Sequence, residues 1–161
     1  MKNGQILIVL AEKWDNDPWT SWIRSSMRRY LLDTSAAGDW IDRRGATRDR
    51  VREMPLGGHV IGTCTPVLAE LWAGVESSQS REFNTVKLRH AVAQFTEWPL
   101  TTNAANVYGR LYTDPRRRRR KIGSNDLRIA SIVLTLPRCI VVSRDSDPLD
   151  IPGLKIENWF S

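Results

Sequence analysis

The stretch IGSNDLRIAS, residues 122–131, predicts the start of a buried helix with an acidic residue in its first turn. Ser124 and Asn125 have side chains that can accept the free N–H groups of a helix start, and the helix dipole favours the carboxylate of Asp126 just inside it. A helix that is apolar nearly all round is expected to be buried. The residues that give it this character are Leu127, Ile129, Ala130, Ile132, Val133, Leu134 and Leu136. Asp126 is therefore explained either by helix capping alone or by a site that requires a carboxylate.

Short apolar runs on both sides of this helix predict the strands of a sheet. They lie at residues 29–32, 59–63, 97–100 and 139–142. The last run is continuously apolar, which indicates burial on both faces and hence a parallel strand. Because helical segments alternate with these strands, the sequence predicts an α/β fold, with three α/β/α layers and a central, mainly parallel sheet.

The helices between the strands are predicted from caps and apolar spacing. One covers about residues 36–43 after a cap at Thr34 or Ser35, and a charged piece covers 48–53. Another starts at Thr65-Pro66, and a further one follows a cap at Thr102. The segment 81–95 is predicted to be an amphipathic helix whose inward residues are Phe83, Val86, Leu88, Val92 and Phe95.

Four acidic residues are placed where the topology can bring them together. Asp33 follows the first strand, Asp145 follows the fourth, Glu70 lies in the helix after the second, and Asp126 starts its own helix. Clustered carboxylates repel one another, and a divalent cation relieves that repulsion. Oxygen ligands suit Mg²⁺ or Mn²⁺ rather than zinc, and such ions activate water for phosphodiester hydrolysis. Two alternatives stay open: Asp33 as a turn residue, and Glu70 inside an apolar helix paired with an arginine.

Length, charge and the content of cysteine and histidine limit the classes of protein to which the chain can belong. The chain has 161 residues, enough for one domain with a core, and its net charge of +6 suggests a polyanionic partner. No apolar run approaches the roughly 20 residues of a membrane span. Cys64 and Cys139 are expected to be buried free thiols, which fits a reducing cytoplasm. His59 and His90, the only histidines, form no zinc-ligand pattern and offer little for metal-free ribonuclease chemistry.

Two segments stand apart from the rest of the chain. Residues 1–26 contain three tryptophans without a regular period, so the folded domain is expected to span residues 27–161. The segment before it is expected to be a flexible extension, an over-extended start of translation or an extra edge strand. Residues 116–121 are six consecutive cations directly before the Asp126 helix. Such a run is either a solvated surface or an edge that contacts phosphates.

Five motifs, in their order and spacing, resemble those of PIN-domain ribonucleases, and more narrowly the VapC toxins of type II toxin–antitoxin pairs. They are LLDTS, PVLAELWAGVE, IGSNDLRIAS, VVSRD and IPGLKIENW, and they cover about residues 27–159. The resemblance implies a PIN-like fold in which the acidic quartet holds Mg²⁺, with Mn²⁺ possible. The quartet is Asp33, Glu70, Asp126 and Asp145, and the supporting residues are Ser143, Asn125 and Thr34.

The resemblance also implies an activity and partners. The chain is expected to be an Mg²⁺-dependent endoribonuclease, a homodimer, and the toxin partner of a VapB-like antitoxin that can insert a basic side chain into the site. A non-catalytic nucleic-acid-binding or regulatory protein on the same fold is the alternative. Asp147 stands where it can share the role of the fourth acid. RNA contacts are expected from the cationic run, at Arg117, Arg118, Arg119 and Lys121.

Overall fold

The computed structural model of the chain describes residues 26–43, 45–115, 122–144 and 151–160. The leader before Ser26 and the cationic run 116–121 lie outside the described residues. So do Asp145 and Asp147, in the segment 145–150. The expectations attached to these three segments therefore stay predictions.

A five-stranded, wholly parallel sheet forms the centre of the fold. Its strands are β1 (Arg29–Leu32), β2 (Val60–Cys64), β3 (Thr96–Trp98), β4 (Cys139–Val142) and β5 (Ile156–Glu157). Their order in the sheet is β3-β2-β1-β4-β5. The predicted parallel sheet is confirmed, and four of its strands agree with the predicted runs to within two residues. β5 was not predicted, because a strand of two residues gives no periodic signal.

Six helices of the described residues connect and cover the strands, and the three-layer α/β/α prediction is confirmed. The bounds are α1 (Thr34–Ile41), α2 (Gly45–Leu56), α3 (Thr65–Glu76), α4 (Arg81–Val92), α5 (Thr102–Thr113) and α6 (Ser124–Thr135). In chain order α1 packs against α2 and α3, α3 against α4, and α5 against α6.

The core lies around β1 and β4, whose apolar residues are buried on both faces. Trp159, which is 1% exposed, closes this core from the C-terminal segment, with its ring 5.0 Å from that of Tyr30. On the other side, β2 and β3 approach so closely that a Cβ at Gly62 would lie 2.1 Å from the carbonyl oxygen of Thr96. Only glycine, which has no Cβ, therefore fits at position 62 of this strand pair.

The helix caps differ from the prediction by one residue in three places. Asp33, not Thr34 or Ser35, caps α1 by accepting a hydrogen bond from the N–H of Ala36. Thr101, not Thr102, caps α5, and the residue before α6 is Gly123, which has no side chain to cap with. The N-cap is the last residue with extended backbone before a helix begins. Several neighbouring residues here have side chains that can cap, so their types alone do not show at which of them the backbone becomes helical.

The inward face of α4 was predicted correctly at Leu88, which is buried, and wrongly at Phe83 and Val86. Phe83 and Val86 are 70% and 69% exposed, whereas Leu88 and Ala91 of the same helix are buried. At 3.6 residues per turn, positions five and two residues before Leu88 fall on the far side of the helix. Two apolar side chains are thus left on the surface of the described chain.

Both cysteine predictions are confirmed, since Cys64 and Cys139 are free and buried. Burial raises the pKa of each thiol from 9.0 to about 12. Over the residues that the structure describes, none of the helices has the length and apolar character that a membrane crossing needs.

Candidate active site

A cavity of about 490 Å³ opens at the carboxyl edge of the sheet. Its acidic lining includes three of the four predicted acids, which come from three different helical segments. Asp145, the fourth, lies outside the described residues, one position after a lining residue. The lining residues are Asp33, Thr34, Ser35, Gly38, Asp39, Glu70, Asp126, Ile129 and Arg144.

Asp33 is fixed by the junction of β1 and α1. Its backbone N–H donates to the carbonyl of Val142, which continues the β1–β4 pairing by one residue. Its Oδ1 accepts from the N–H of Ala36 at 2.7 Å and from Oγ of Ser35 at 2.8 Å. The carboxylate is thus oriented by the first turn of α1, whose dipole favours a negative charge there.

Glu70 lies in the middle of α3, as predicted, but it is exposed and not buried among the apolar residues of that helix. The buried stripe of α3 runs through Pro66, Val67, Leu68 and Val75, which leaves Glu70 on the side that faces the cavity. Among the described residues its hydrogen-bond partner is a hydroxyl group and not an arginine, since Oγ1 of Thr34 donates to its Oε2. Thr34 therefore joins the start of α1 to α3 across the site.

Asp126 lies in the first turn of α6 and is exposed, as its place at the mouth of the cavity requires. A Cβ at Gly123 would lie 2.8 Å from its Oδ2, so the carboxylate occupies space that only glycine leaves open. The amide nitrogen of Asn125 is buried and has no hydrogen-bond partner among the described residues. Ser143 is buried, and its N–H donates to the carbonyl of Glu157.

Two further charged residues line the cavity, and sequence reasoning missed both. Nη2 of Arg144 lies 3.1 Å from Oδ2 of Asp39, a carboxylate of α1 whose side chain is 16% exposed. Arg144 could have been suspected, because it stands between two predicted site residues, Ser143 and Asp145. Nothing in the sequence marks Asp39, since its role depends on the packing of α1 against the end of β4.

Comparison with known proteins identifies the family of the chain. A family model described as the PIN domain matches residues 30–154, the greater part of the chain. The chain belongs to the PIN-domain family.

Among relatives of this PIN domain, Ribonuclease VapC2 of Rickettsia felis is 29% identical over 130 residues, which is 81% of this chain and 97% of the relative. The crystal structure of Rickettsia felis VapBC2 bound to a promoter DNA fragment is similar with a TM-score of 0.73 and 28% identity, over 81% of this chain and 98% of that one. DNA-bound VapBC of Salmonella typhimurium is similar in fold, with a TM-score of 0.72 and 24% identity over 83% and 99% of the two chains.

The donor chemistry of the PIN-domain cavity fits a hard divalent cation. Its four carboxylates and one guanidinium leave a formal excess of three negative charges. Carboxylate oxygens are the donor atoms that Mg²⁺ and Mn²⁺ prefer. Among the described residues, no three His, Cys, Asp or Glu side chains are gathered closely enough to hold an ion. A bound cation would therefore have to draw the carboxylates together.

Proposed function

We propose that this PIN domain is a divalent-metal-dependent endoribonuclease and the toxin of a VapBC-like toxin–antitoxin pair. The observation that carries the proposal is the convergence of Asp33, Glu70 and Asp126 on one open cavity. The similarity to a named ribonuclease over 97% of its length supports the same activity. Mg²⁺ is the proposed cation, Mn²⁺ its substitute, and the cytoplasm the proposed location.

In the proposed mechanism Asp33, Glu70 and Asp126 would hold the cation, with Asp145 as the fourth acid. The chemistry that a bound cation would supply is the activation of water and the neutralisation of charge on the phosphate that is cut. The chain itself positions the ligands: Ser35 and the N–H of Ala36 orient Asp33, and Thr34 orients Glu70. Ser143 and Asn125 are proposed as supporting residues beside the last and third acids.

A non-catalytic nucleic-acid-binding protein remains the second candidate, favoured by the basic net charge of +6. The cavity argues against it. A surface that only binds RNA gains nothing from an excess of carboxylates, which repel phosphates, whereas a site that holds a divalent cation requires them.

The antitoxin is proposed to dock on a groove of about 720 Å³ between α1, α2 and α4. Its exposed apolar residues are Phe83 and Val86, and its cations are Arg43, Arg48, Arg52 and Lys87, of which Lys87 pairs with the one acid among the described residues of the groove, Asp42. An isologous contact of this groove with a second copy would bring the excess of positive charge together, so an acidic partner with an apolar face fits better. The homodimer implied by the family resemblance is therefore proposed to use another surface.

The activity is tested by incubating purified protein with a mixed RNA pool in Mg²⁺ and in EDTA. We expect endonucleolytic fragments in Mg²⁺ only, and none from Asp33→Asn purified in parallel. The parallel preparation controls for contaminating ribonucleases. Undiminished cleavage in EDTA, or by Asp33→Asn, would contradict the proposal.

The partner is tested with the product of the neighbouring upstream reading frame. If that product is a small antitoxin, it should inhibit cleavage and co-purify with the chain. Phe83→Ser combined with Val86→Ser should weaken the complex while cleavage by the free protein persists. Leu56→Ser, which removes an apolar side chain that is 89% exposed but does not line the groove, is the matched control. An unchanged complex with the groove variant would place the antitoxin elsewhere.

A further inference from the structure

Arg144 is the only cationic side chain that lines the acidic cavity among the described residues. It follows Ser143 at the carboxyl end of β4, on the same edge of the sheet as Asp33 and Asp126. Its side chain is 59% exposed, so a ligand that arrives from solvent can reach the guanidinium. The cavity thus combines a group of acids with one accessible positive charge.

Contacts on several sides fix the position of Arg144. Its Nη2 pairs with Oδ2 of Asp39 at 3.1 Å, and its guanidinium carbon lies 4.6 Å from the centroid of the Phe160 ring. Its backbone N–H donates to Oγ of Ser35 at 3.4 Å, and that hydroxyl donates to Asp33 at 2.8 Å. The arginine is therefore held in register with the carboxylate of Asp33.

Fold stability is a weak explanation for this arrangement. An ion pair with an exposed arginine contributes only about 0–1 kcal/mol. An arginine beside three acids would, if unanchored, pair with them and compete with the cation that they hold. Asp39 gives the guanidinium a partner on the cavity wall instead, and the ring of Phe160 covers one of its faces. A guanidinium has five N–H donors at its edge, so an anchor that occupies one of them leaves others for a ligand.

We propose that Arg144 binds an RNA phosphate beside the scissile one and so positions the strand over the carboxylates. The proposal rests on the ribonuclease function proposed above and names a further residue for it. Phosphate is the ligand class because its oxygens match the planar fork of an arginine. Contacts of this kind set the register of the nucleic acid without reading its sequence. Asp39 and Phe160 act through Arg144 and are positioning residues.

The experiment measures binding and cleavage of a short fluorescent single-stranded RNA of mixed sequence by the full chain. Binding is followed by anisotropy in Mg²⁺ on an Asp126→Asn background, with RNA integrity checked on a gel. Arg144→Gln and Arg144→Lys are compared with Arg81→Gln. Arg81 is the matched control, since it pairs with Glu76 at 3.0 Å, is 62% exposed and lies outside the cavity.

We expect Arg144→Gln to lower RNA affinity about tenfold, since one charge-assisted contact is lost. The slope of log affinity against log salt should become shallower by about one unit. Arg144→Lys should restore the slope but only part of the affinity, because the fork is missing. The Mg²⁺ concentration that gives half-maximal cleavage, measured with Asp126 present, should change less than about twofold, since the lost contact is to phosphate rather than to the cation.

The outcomes separate this proposal from the proposed function. If the wild type cleaves RNA but Arg144→Gln keeps wild-type affinity and salt slope, Arg144 is only a structural ion pair and the inference is wrong. If the wild type does not cleave RNA but Arg144→Gln still lowers affinity and slope, the phosphate contact holds and the ribonuclease proposal fails. Loss of the same affinity in Arg81→Gln would also overturn the assignment, because the effect would then be general charge.

Discussion

The two edges of the parallel sheet carry opposite charge. The carboxyl edge opens into the 490 Å³ cavity whose titratable lining is four acids and Arg144. A second cavity, of about 1100 Å³, extends from the amino edge along β4 and β5, and its titratable lining among the described residues includes Arg28, His59, Arg138, Lys155 and a single acid, Glu157. Size alone would favour the amino edge as the site, whereas the arrangement of charge favours the carboxyl edge.

Helix direction explains part of this difference. α1 and α6 begin at the carboxyl edge, where their dipoles favour Asp33 and Asp126. At the amino edge α6 ends, and Arg29 donates to the carbonyl of Pro137 at 2.8 Å, just past that end. Cationic side chains at the amino edge can therefore donate hydrogen bonds to carbonyl groups at the end of a helix, which have no partner within the helix.

The comparison teaches that topology can account for some charges but not for all of them. Two helix starts explain two carboxylates at the carboxyl edge. Glu70 lies within α3, and Asp39 within α1, so neither is stabilised by a helix start. Asp39 is paired with Arg144, so the charge of Glu70 is the one that neither a helix start nor an ion pair among the described residues offsets.

The largest effect is expected from neutralising one acid in each of the two cavities. Asp126→Asn should reduce cleavage by at least about a hundredfold, because a metal ligand supplies several kcal/mol of charge stabilisation. Glu157→Gln, which lines the 1100 Å³ cavity and not the 490 Å³ one, should change cleavage less than about twofold, since its oxygen can still accept from Nε1 of Trp159. Single-turnover cleavage of one RNA by both variants measures the difference.

The same pair of variants separates chemistry from folding. Without metal, Asp126→Asn should be as stable as the wild type or more stable, because it removes one of several repelling charges. Added Mg²⁺ should raise the melting temperature of the wild type and of Glu157→Gln but not that of Asp126→Asn. An Asp126→Asn protein that is inactive because it is unfolded would leave the comparison of edges without support.

A smaller effect is expected from moving Asp126 without changing its charge. In Gly123→Ala the new methyl group would press on Oδ2 of Asp126, which lies 2.8 Å from the Cβ position. The side chain can rotate away, so stability should change little, but misplacement should reduce cleavage by about tenfold to a hundredfold. Gly38→Ala is the control, since it lines the same cavity and a Cβ there meets nothing within 4 Å. Equal activity of the two variants would show that the position of Asp126 is not critical.

The RNA contacts expected of the cationic run give a further comparison with the cations of the amino edge. Replacing Arg117, Arg118 and Arg119 by Gln should lower RNA affinity, with a salt slope that is shallower by about one unit per lost phosphate contact. Replacing Arg28, Arg138 and Lys155 by Gln removes the same charge from the amino edge and should leave the slope unchanged. If the two triple variants behave alike, RNA is attracted by net charge and not by the run that precedes α6.

Sequence reasoning predicted most of the sheet and the shared location of Asp33, Glu70 and Asp126 at its carboxyl edge, because both follow from the order of strands and helices. Buried apolar runs mark β1 and β4, and Asp33 and Asp126 stand at boundaries between elements. Tertiary packing decided the rest. The exposure of Phe83 and the hydroxyl partner of Glu70 depend on which faces meet, and the pairing of Asp39 with Arg144 joins residues 105 positions apart.

The smallest difference between the edges is expected for the two thiols. Cys64 ends β2 at the carboxyl edge, near Glu70 and Glu97, which raise its pKa; Cys139 begins β4 at the amino edge, near Arg29, which lowers its pKa. For both thiols burial is the largest cause, and both pKa values are raised from 9.0 to about 12. Burial should therefore override the charge of either edge, and both thiols should resist a thiol reagent at pH 8 until the chain is unfolded.

These raised pKa values also predict how stability depends on pH. The folded state keeps both thiols protonated while the unfolded chain loses their protons above about pH 9, so their contribution to stability is complete below pH 9 and is lost between about pH 9 and 12. At pH 10 the expected loss is about 1 kcal/mol per thiol. Denaturant unfolding at pH 8 and pH 10 measures it, and the double variant Cys64→Ala with Cys139→Ala removes this part of the pH dependence while leaving that of lysines and tyrosines. Rapid modification of one thiol in the folded protein at pH 8 would show that the charge of its edge, and not burial, controls its ionisation.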